Sequence, residues 1–200
     1  MTANMIQLNG SPPMPNFTFD DSLQPYNMPM QTWLLANNRQ DQLNGLATAN
    51  VVFSNTTGKV LLVQPAAHDS MPNRWEVPGG AVDNEDLTIL HAAARELWEE
   101  AGLFATRFTH MVAEKSGLDP GFVFSNAKRT STWCRFTFAV EVVTCDTVKL
   151  EPNEHQDFLW ASEEEVRNEK VGEREVPITT PNVVAMLLEA FRLRRERANA

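Results

Sequence analysis

The chain has 200 residues, 42% hydrophobic and 22% charged, enough for one ordinary domain with a real core and unlike a disordered tail or a fibrous repeat. Its net charge of −9 argues against long nucleic acid or an anionic membrane as partner, and phosphate chemistry on so acidic a chain requires a cation that reverses the local field. Cys134 and Cys145 are too few for a cysteine zinc site or a disulfide framework, and no run reaches the roughly 18 apolar residues of a membrane span, so a soluble, cytoplasmic protein in a reducing compartment is expected.

Residues 1–45 read as an N-terminal extension. Up to about Met30, Asn, Pro, Met and Gln (NGSPPMPNF, QPYNMPMQ) interrupt any period of 2 or 3.6, which predicts an extended arm tethered by Phe17, Phe19 and Tyr26. The domain proper is expected over residues 46–200. It opens with LATANVVFS and VLLVQ, two strands whose NTTGK connection predicts a hairpin. RWEVPGG reads as a short strand stopped by Pro78 and a glycine pair, and the acidic loop AVDNED follows.

A helix is predicted from about Leu87 to Ala101, capped by Asp86 or Thr88 and closed by Gly102. FATRFTHMVAEK and TWCRFTFAVEVV read as longer strands on either side of a polar loop from about Ser116 to Ser131. EHQDFLWAS adds a strand, after which Ser162 can cap a short acidic helix, and TPNVVAMLLEAFRLRRERA carries helical spacing to a basic end. Strands around one central helix, with a closing helix, predict a single mixed α/β (α+β) layered domain rather than a bundle or barrel.

The chemistry concentrates on the central helix. Glu96, Glu99 and Glu100 stand at i, i+3 and i+4 and therefore share one face, where like charges repel by a few tenths of a kcal/mol per pair. Arg95 offsets part of that repulsion, and a hard divalent cation suits the remainder: Mg²⁺, with Mn²⁺ as a substitute, prefers oxygen ligands and bridges carboxylates to phosphates. A solvated acidic helix face is the plainer alternative, but the preceding strand, glycine pair and acidic loop make a strand–loop–helix site. Gly80 and Trp75 are candidates for substrate contact, Trp75 by stacking on a base, against the commoner packing role of large apolar residues. Trp133, Phe136 and Phe138 read as core, and none of His68, His91, His110 and His155 shows a metal-ligand spacing.

The stretch from Gly79 to Leu103 resembles the Nudix box, in which Gly, five residues, Glu, seven residues, Arg-Glu, an aliphatic, any residue, Glu-Glu, any residue, Gly and an aliphatic follow in order. Arg95, Glu96, Leu97, Glu99, Glu100, Gly102 and Leu103 occupy the second half, while the first half is one residue too long, which places an insertion between Gly80 and the helix and leaves Asp86 or Glu85 as the box acid. The phrase DSMPNRWEVPGG also resembles fungal members of the family.

The resemblance implies a Nudix-type α/β/α sandwich with a mixed sheet, and hydrolysis of a phosphoanhydride bond in a nucleoside diphosphate linked to another moiety or in a related small diphosphate. It implies that Glu96, Glu99 and Glu100 bind Mg²⁺ with the Gly79 carbonyl, that Arg95 orients a glutamate, and that Glu96 is the first choice of general base. Glu154, in a later loop, is the alternative base or further ligand. Selectivity is expected from the loop between Ser116 and Ser131 and from the N-terminal arm, and a homodimer is a further expectation. Two other readings stand beside the hydrolase: a ligand-binding or regulatory module, and a scaffold recruited to secondary metabolism for diphosphate removal or non-hydrolytic rearrangement.

Overall fold

The computed structural model describes residues 16–68, 71–113, 121–126 and 128–199, so residues 1–15 of the expected arm and residues 116–120 and 127 of the polar loop lie outside the described residues. In chain order the elements are β1 (Thr18–Phe19), a 3₁₀ turn (Asp21–Tyr26), α1 (Met30–Ala36), β2 (Gly45–Val52), β3 (Val60–Pro65), α2 (Ile89–Ala101) and β4 (Ala105–Met111). They continue with β5 (Phe122–Ser125), β6 (Thr132–Val142), β7 (His155–Ala161), α3 (Glu163–Asn168), β8 (Lys170–Val171), β9 (Arg174–Glu175) and α4 (Pro181–Ala198).

A mixed sheet runs β1-β4-β6-β2, with β5 also on β6; β2 lies parallel to β6, and β4 and β5 lie antiparallel to it. Side chains alternate across this sheet and divide the core in two. Leu46 and Val52 of β2 and Phe136 and Phe138 of β6 join the α2 side, whereas Ala49 and Val51 join Met186, Leu187 and Phe191 of α4 on the other. The result is the expected α/β/α sandwich.

The hairpin expected from LATANVVFS and VLLVQ exists only at its turn. Ser54 N donates to Lys59 O at 2.8 Å and Phe53 bridges Val60, after which β3 leaves to pair antiparallel with β7. The cause is that both edges of β2 are taken. β6 lines one, and on the other Thr48 N donates to Gly80 O (2.8 Å), Asn50 N to Pro78 O (2.7 Å) and Val82 N to Leu46 O (2.9 Å). RWEVPGG is likewise a link rather than a strand, since Glu76 exchanges bonds with Val63 while the Pro78 and Gly80 carbonyls accept from β2.

The N-terminal segment differs most from the expected extension. Phe17, Phe19 and Tyr26 do tie it down, but Leu23, Met30, Trp33 and Leu34 are buried as well, and Tyr26 and Trp33 each meet the Phe136 ring at 4.9 Å. Met28 O accepts from Ile89 N at 3.0 Å, so this segment also fixes the first turn of α2. The polar loop holds β5, which alternates half-buried Phe122 and Phe124 with exposed Val123 and Ser125. Among the described residues no helix is long and apolar enough to cross a membrane.

Candidate active site

Helix α2 is set by local chemistry. Thr88 is its N-cap, its side chain accepting from His91 N at 3.2 Å, and Gly102 closes it in the left-handed region at φ 67°. Between the two caps, Ile89, Leu90, Ala93 and Leu97 are buried in the sheet-facing core, which turns the acidic positions toward the glycine pair. Asn50, fully buried on β2, fastens the two together: its amide donates to Ala93 O at 3.0 Å and to Pro78 O at 3.3 Å.

The glycine pair is required by close approach. A Cβ on Gly79 would lie 2.2 Å from Thr48 O and 2.6 Å from Ala49 Cα, and one on Gly80 would lie 2.5 Å from Glu96 Oε2. Gly79 N donates to Glu100 Oε2 at 2.6 Å, so the backbone of the loop holds one carboxylate while the Glu96 carboxylate lies against its neighbour.

Arg95 organises the rest. Its Nε and Nη2 grip Asp86 at 2.9 and 2.8 Å, its Nη1 donates to Glu96 at 2.8 Å and to Glu99 at 2.9 Å, and Nη2 also reaches Ala81 O at 3.0 Å. Asp86, not Glu85, is thus the acid that pairs with Arg95, and it also accepts from Asp83 N at 2.8 Å. The extra residue of the loop falls between Asp86 and the cap as Leu87, whose side chain stands 52% exposed.

One guanidinium does not neutralise this cluster. Burial pushes the Glu96 carboxyl up to about 7, outweighing Arg95, with Glu99 and Glu154 adding repulsion. Burial also raises Glu100 well above the usual carboxylate range; its bond from Gly79 N pulls the other way, and Glu96, Glu76 and Glu154 push it further up. Glu154, beyond the reach of local sequence, comes to Glu100: one ligand atom each of Glu100, Glu154 and His155 lies within 4.8 Å of the others.

This donor set fits a divalent ion. Beside the His155 nitrogen the donors are carboxylate oxygens with surplus negative charge, and Arg95, the arginine that meets them among the described residues, is already committed to Asp86, Glu96 and Glu99. Cavities open on two sides: one of about 320 Å³ touches Gly79 and Gly80, and another of about 390 Å³ touches Glu99 and Glu154.

Of the residues expected from sequence, Glu96, Glu100, Glu99, Arg95, Gly79 and Gly80 meet at this place, and Glu154 joins them. Trp75 does not; it is fully buried in the α4-side core, with the Arg174 guanidinium 4.7 Å over its ring. Bulk and the neighbouring Pro177 strand-like contact hold it there, through Trp75 N to Pro177 O at 2.9 Å. Three residues were missed: Asn50, His155 and Trp133, the last lining the 320 Å³ cavity instead of the core. Only His155 had a local signal, its place beside Glu154.

The NUDIX domain family matches residues 45–180, and the chain belongs to the Nudix family. It is 31% identical to the CTP pyrophosphohydrolase of Escherichia coli K12 over 134 residues, 67% of this chain and 82% of that one. It is 43% identical to an RNA pyrophosphohydrolase of a Psychrobacter species over 58 residues, a match that takes in 29% of this chain and only 31% of that relative's length. The fold is similar to that of the Nudix domain of Shewanella oneidensis NrtR complexed with ADP ribose, with a TM-score of 0.56, 17% identity and coverage of 82% of this chain and 98% of that one.

Proposed function

We propose that the protein is a Mg²⁺-dependent pyrophosphohydrolase that cleaves a phosphoanhydride bond of a nucleoside diphosphate carrying a further group. The observation that carries this reading is the convergence of Glu96, Glu100 and Glu154 beside Gly79 and Gly80, with burial raising two of the three carboxyls and a single arginine shared among their neighbours. Supporting it, the similar proteins named above act on CTP or RNA as pyrophosphohydrolases, and the fold neighbour holds ADP ribose.

Glu96, Glu99 and Glu100 would hold the ion, with the Gly79 carbonyl and Glu154 as further oxygen donors; Mn²⁺ would serve in place of Mg²⁺. When bound, the ion neutralises the diphosphate and lowers the pKa of its water. Arg95 keeps the Glu96 and Glu99 carboxylates in place, and Gly79 N keeps Glu100 turned toward the loop. Glu96 takes the proton of the attacking water, and Glu154 is the alternative acceptor.

The test is turnover of nucleoside triphosphates and nucleotide sugars with Mg²⁺, followed by product identification. Glu100→Gln and Glu99→Gln should each lower turnover by about a hundredfold or more, because each replaces a charged ligand with a neutral amide. Unchanged turnover in both variants, or activity that persists in chelator, overturns the reading. Comparing Glu96→Gln with Glu154→Gln identifies the base, as the variant that loses more kcat.

A further inference from the structure

Arginines crowd the end of α4, and their surroundings differ. Arg192 reaches Glu189 at 2.7 Å and Glu196 at 2.5 Å, and Arg195 is paired with Glu163. Arg194 meets no carboxylate among the described residues, and Arg197 meets Asp20 only at 3.7 Å, beyond hydrogen-bond reach. Standing at i and i+3, these two share one face of the helix, where like charges repel unless something between them carries the opposite sign.

That face borders a cavity of about 190 Å³ between α4, β4, β6 and the turn after β2. It shares no lining residue with the two cavities beside the carboxylates of the active site. Arg194 is set in place there: its guanidinium lies 4.6 Å from the centre of the Phe53 ring, and its Nη1 donates to Gly58 O at 2.8 Å. Its Nε and Nη2 donors have no partner among the described residues.

On the facing wall the register of β4 on β6 passes from Phe108 beside Val140 to His110 beside Ala139. Thr109 is thus the extra residue of a bulge, and Thr109 and His110 both line the cavity. Burial and then Arg197 push the His110 ring down to about 4, while Asp20 pulls the other way, so the ring is neutral and Arg197 is felt beyond Asp20. The charged groups around the cavity are Arg107, opposite Glu141 in register, with Asp20, Arg194 and Arg197. Positive charge prevails here by one, on a chain whose net charge is −9.

We propose that this cavity is a phosphate site in which Arg194 and Arg197 grip one phosphate group, either inorganic phosphate or the end group of a phosphate monoester. Each guanidinium is a planar fork of donors that suits the oxygens of such a group, and a tetrahedral phosphate can meet two forks from different directions. Its charge offsets the repulsion within α4, and at about 30 Å³ per water in the liquid the space admits a group of that size. The inference stands apart from the catalytic reading.

The experiment titrates the full chain with inorganic phosphate by calorimetry at fixed ionic strength, in chelator so that no ion draws phosphate to the carboxylates. Wild type should bind one phosphate. Arg197→Gln, which removes a charged donor, and Arg194→Lys, which replaces a fork with a point charge, should each weaken binding by about tenfold. Arg197 stands half in solvent, so its replacement leaves the fold intact. Glycerol phosphate separates the two sources: binding as tight as that of phosphate assigns the end group of a monoester, and binding of phosphate alone assigns the free ion.

The imidazole signals of the four histidines locate the site, with His110→Gln identifying the one that matters. Phosphate should shift His110 in wild type and leave it still in Arg197→Gln, and His155, beside Glu154, should not move. Absence of binding, binding that both variants leave intact, an equal response to chloride, or a shift at His155 in place of His110 overturns the proposal. So does an Arg197→Gln protein that loses Tm yet binds phosphate as wild type does, since the arginine would then only complement the helix dipole.

Discussion

On the α2 side of β2, Asn50 and the strand's own backbone clamp the Pro78–Gly80 turn, and through it Glu100 is gripped by Gly79 N. On the α4 side of the same strand, Gly45, Ala47 and Ala49 offer almost no side chain, and the space they leave is walled by Trp133, Phe124 and Arg135. One side therefore crowds charge, and the other leaves volume unfilled. The same eight residues separate the two.

The comparison breaks most severely if Arg95 is removed. Arg95→Ala strands Asp86, Glu96 and Glu99 together and should cost roughly 3 kcal/mol in denaturant titration besides abolishing turnover, and Arg95→Lys should rescue little, because an ammonium cannot span three carboxylates. The charged side can also be read by pH. Because burial raises the folded Glu96 carboxyl to about 7 from 4.5, its contribution is complete below pH 4.5 and is lost as pH climbs to about 7. Metal-free protein should thus lose on the order of 3 kcal/mol across that window, and saturating Mg²⁺ should remove the slope.

Asn50→Ala, which unfastens α2 from the Pro78 turn, should cost about 2 kcal/mol and lower kcat with it. A smaller effect separates the site from a neighbouring region. Burial, helped by Arg197, depresses His110 to about 4 from 6.5, so its contribution is complete above pH 6.5 and is lost as pH falls toward 4. That slope, on the order of 1 kcal/mol after discounting for partial exposure, should persist with Mg²⁺ present and disappear in His110→Gln. Deleting Leu87 should change stability by only about 0.5 kcal/mol, since its side chain stands in solvent.

The central helix was legible because everything that makes it is local: Thr88 and Gly102 at its ends, apolar spacing between, and three acids one turn apart. The partners of the strands were not. β2 and β3 look like a hairpin, yet they pair with β6 and β7, some ninety to a hundred residues away, and no nearby residue announces that both edges of β2 are already filled. Composition concealed the N-terminal packing in the same manner, since Leu23, Tyr26, Met30 and Trp33 are scattered among prolines and asparagines and find their order only against Phe136 and Phe138. Trp133 reads as one more core aromatic until Gly45 is known to lie beside it, and Glu154 as one more loop acid until β7 carries it to Glu100.

The pairing of Asp86 with Arg95 bears on how such motifs vary. The grip depends on whether an acid lies within the arm's length of a guanidinium, and Asp86 meets Arg95 at 2.8 and 2.9 Å although the stretch between them is one residue longer than the pattern has it. In this chain the extra residue costs the pair nothing in reach, so a rule that counts positions fails here where one that measures distance succeeds.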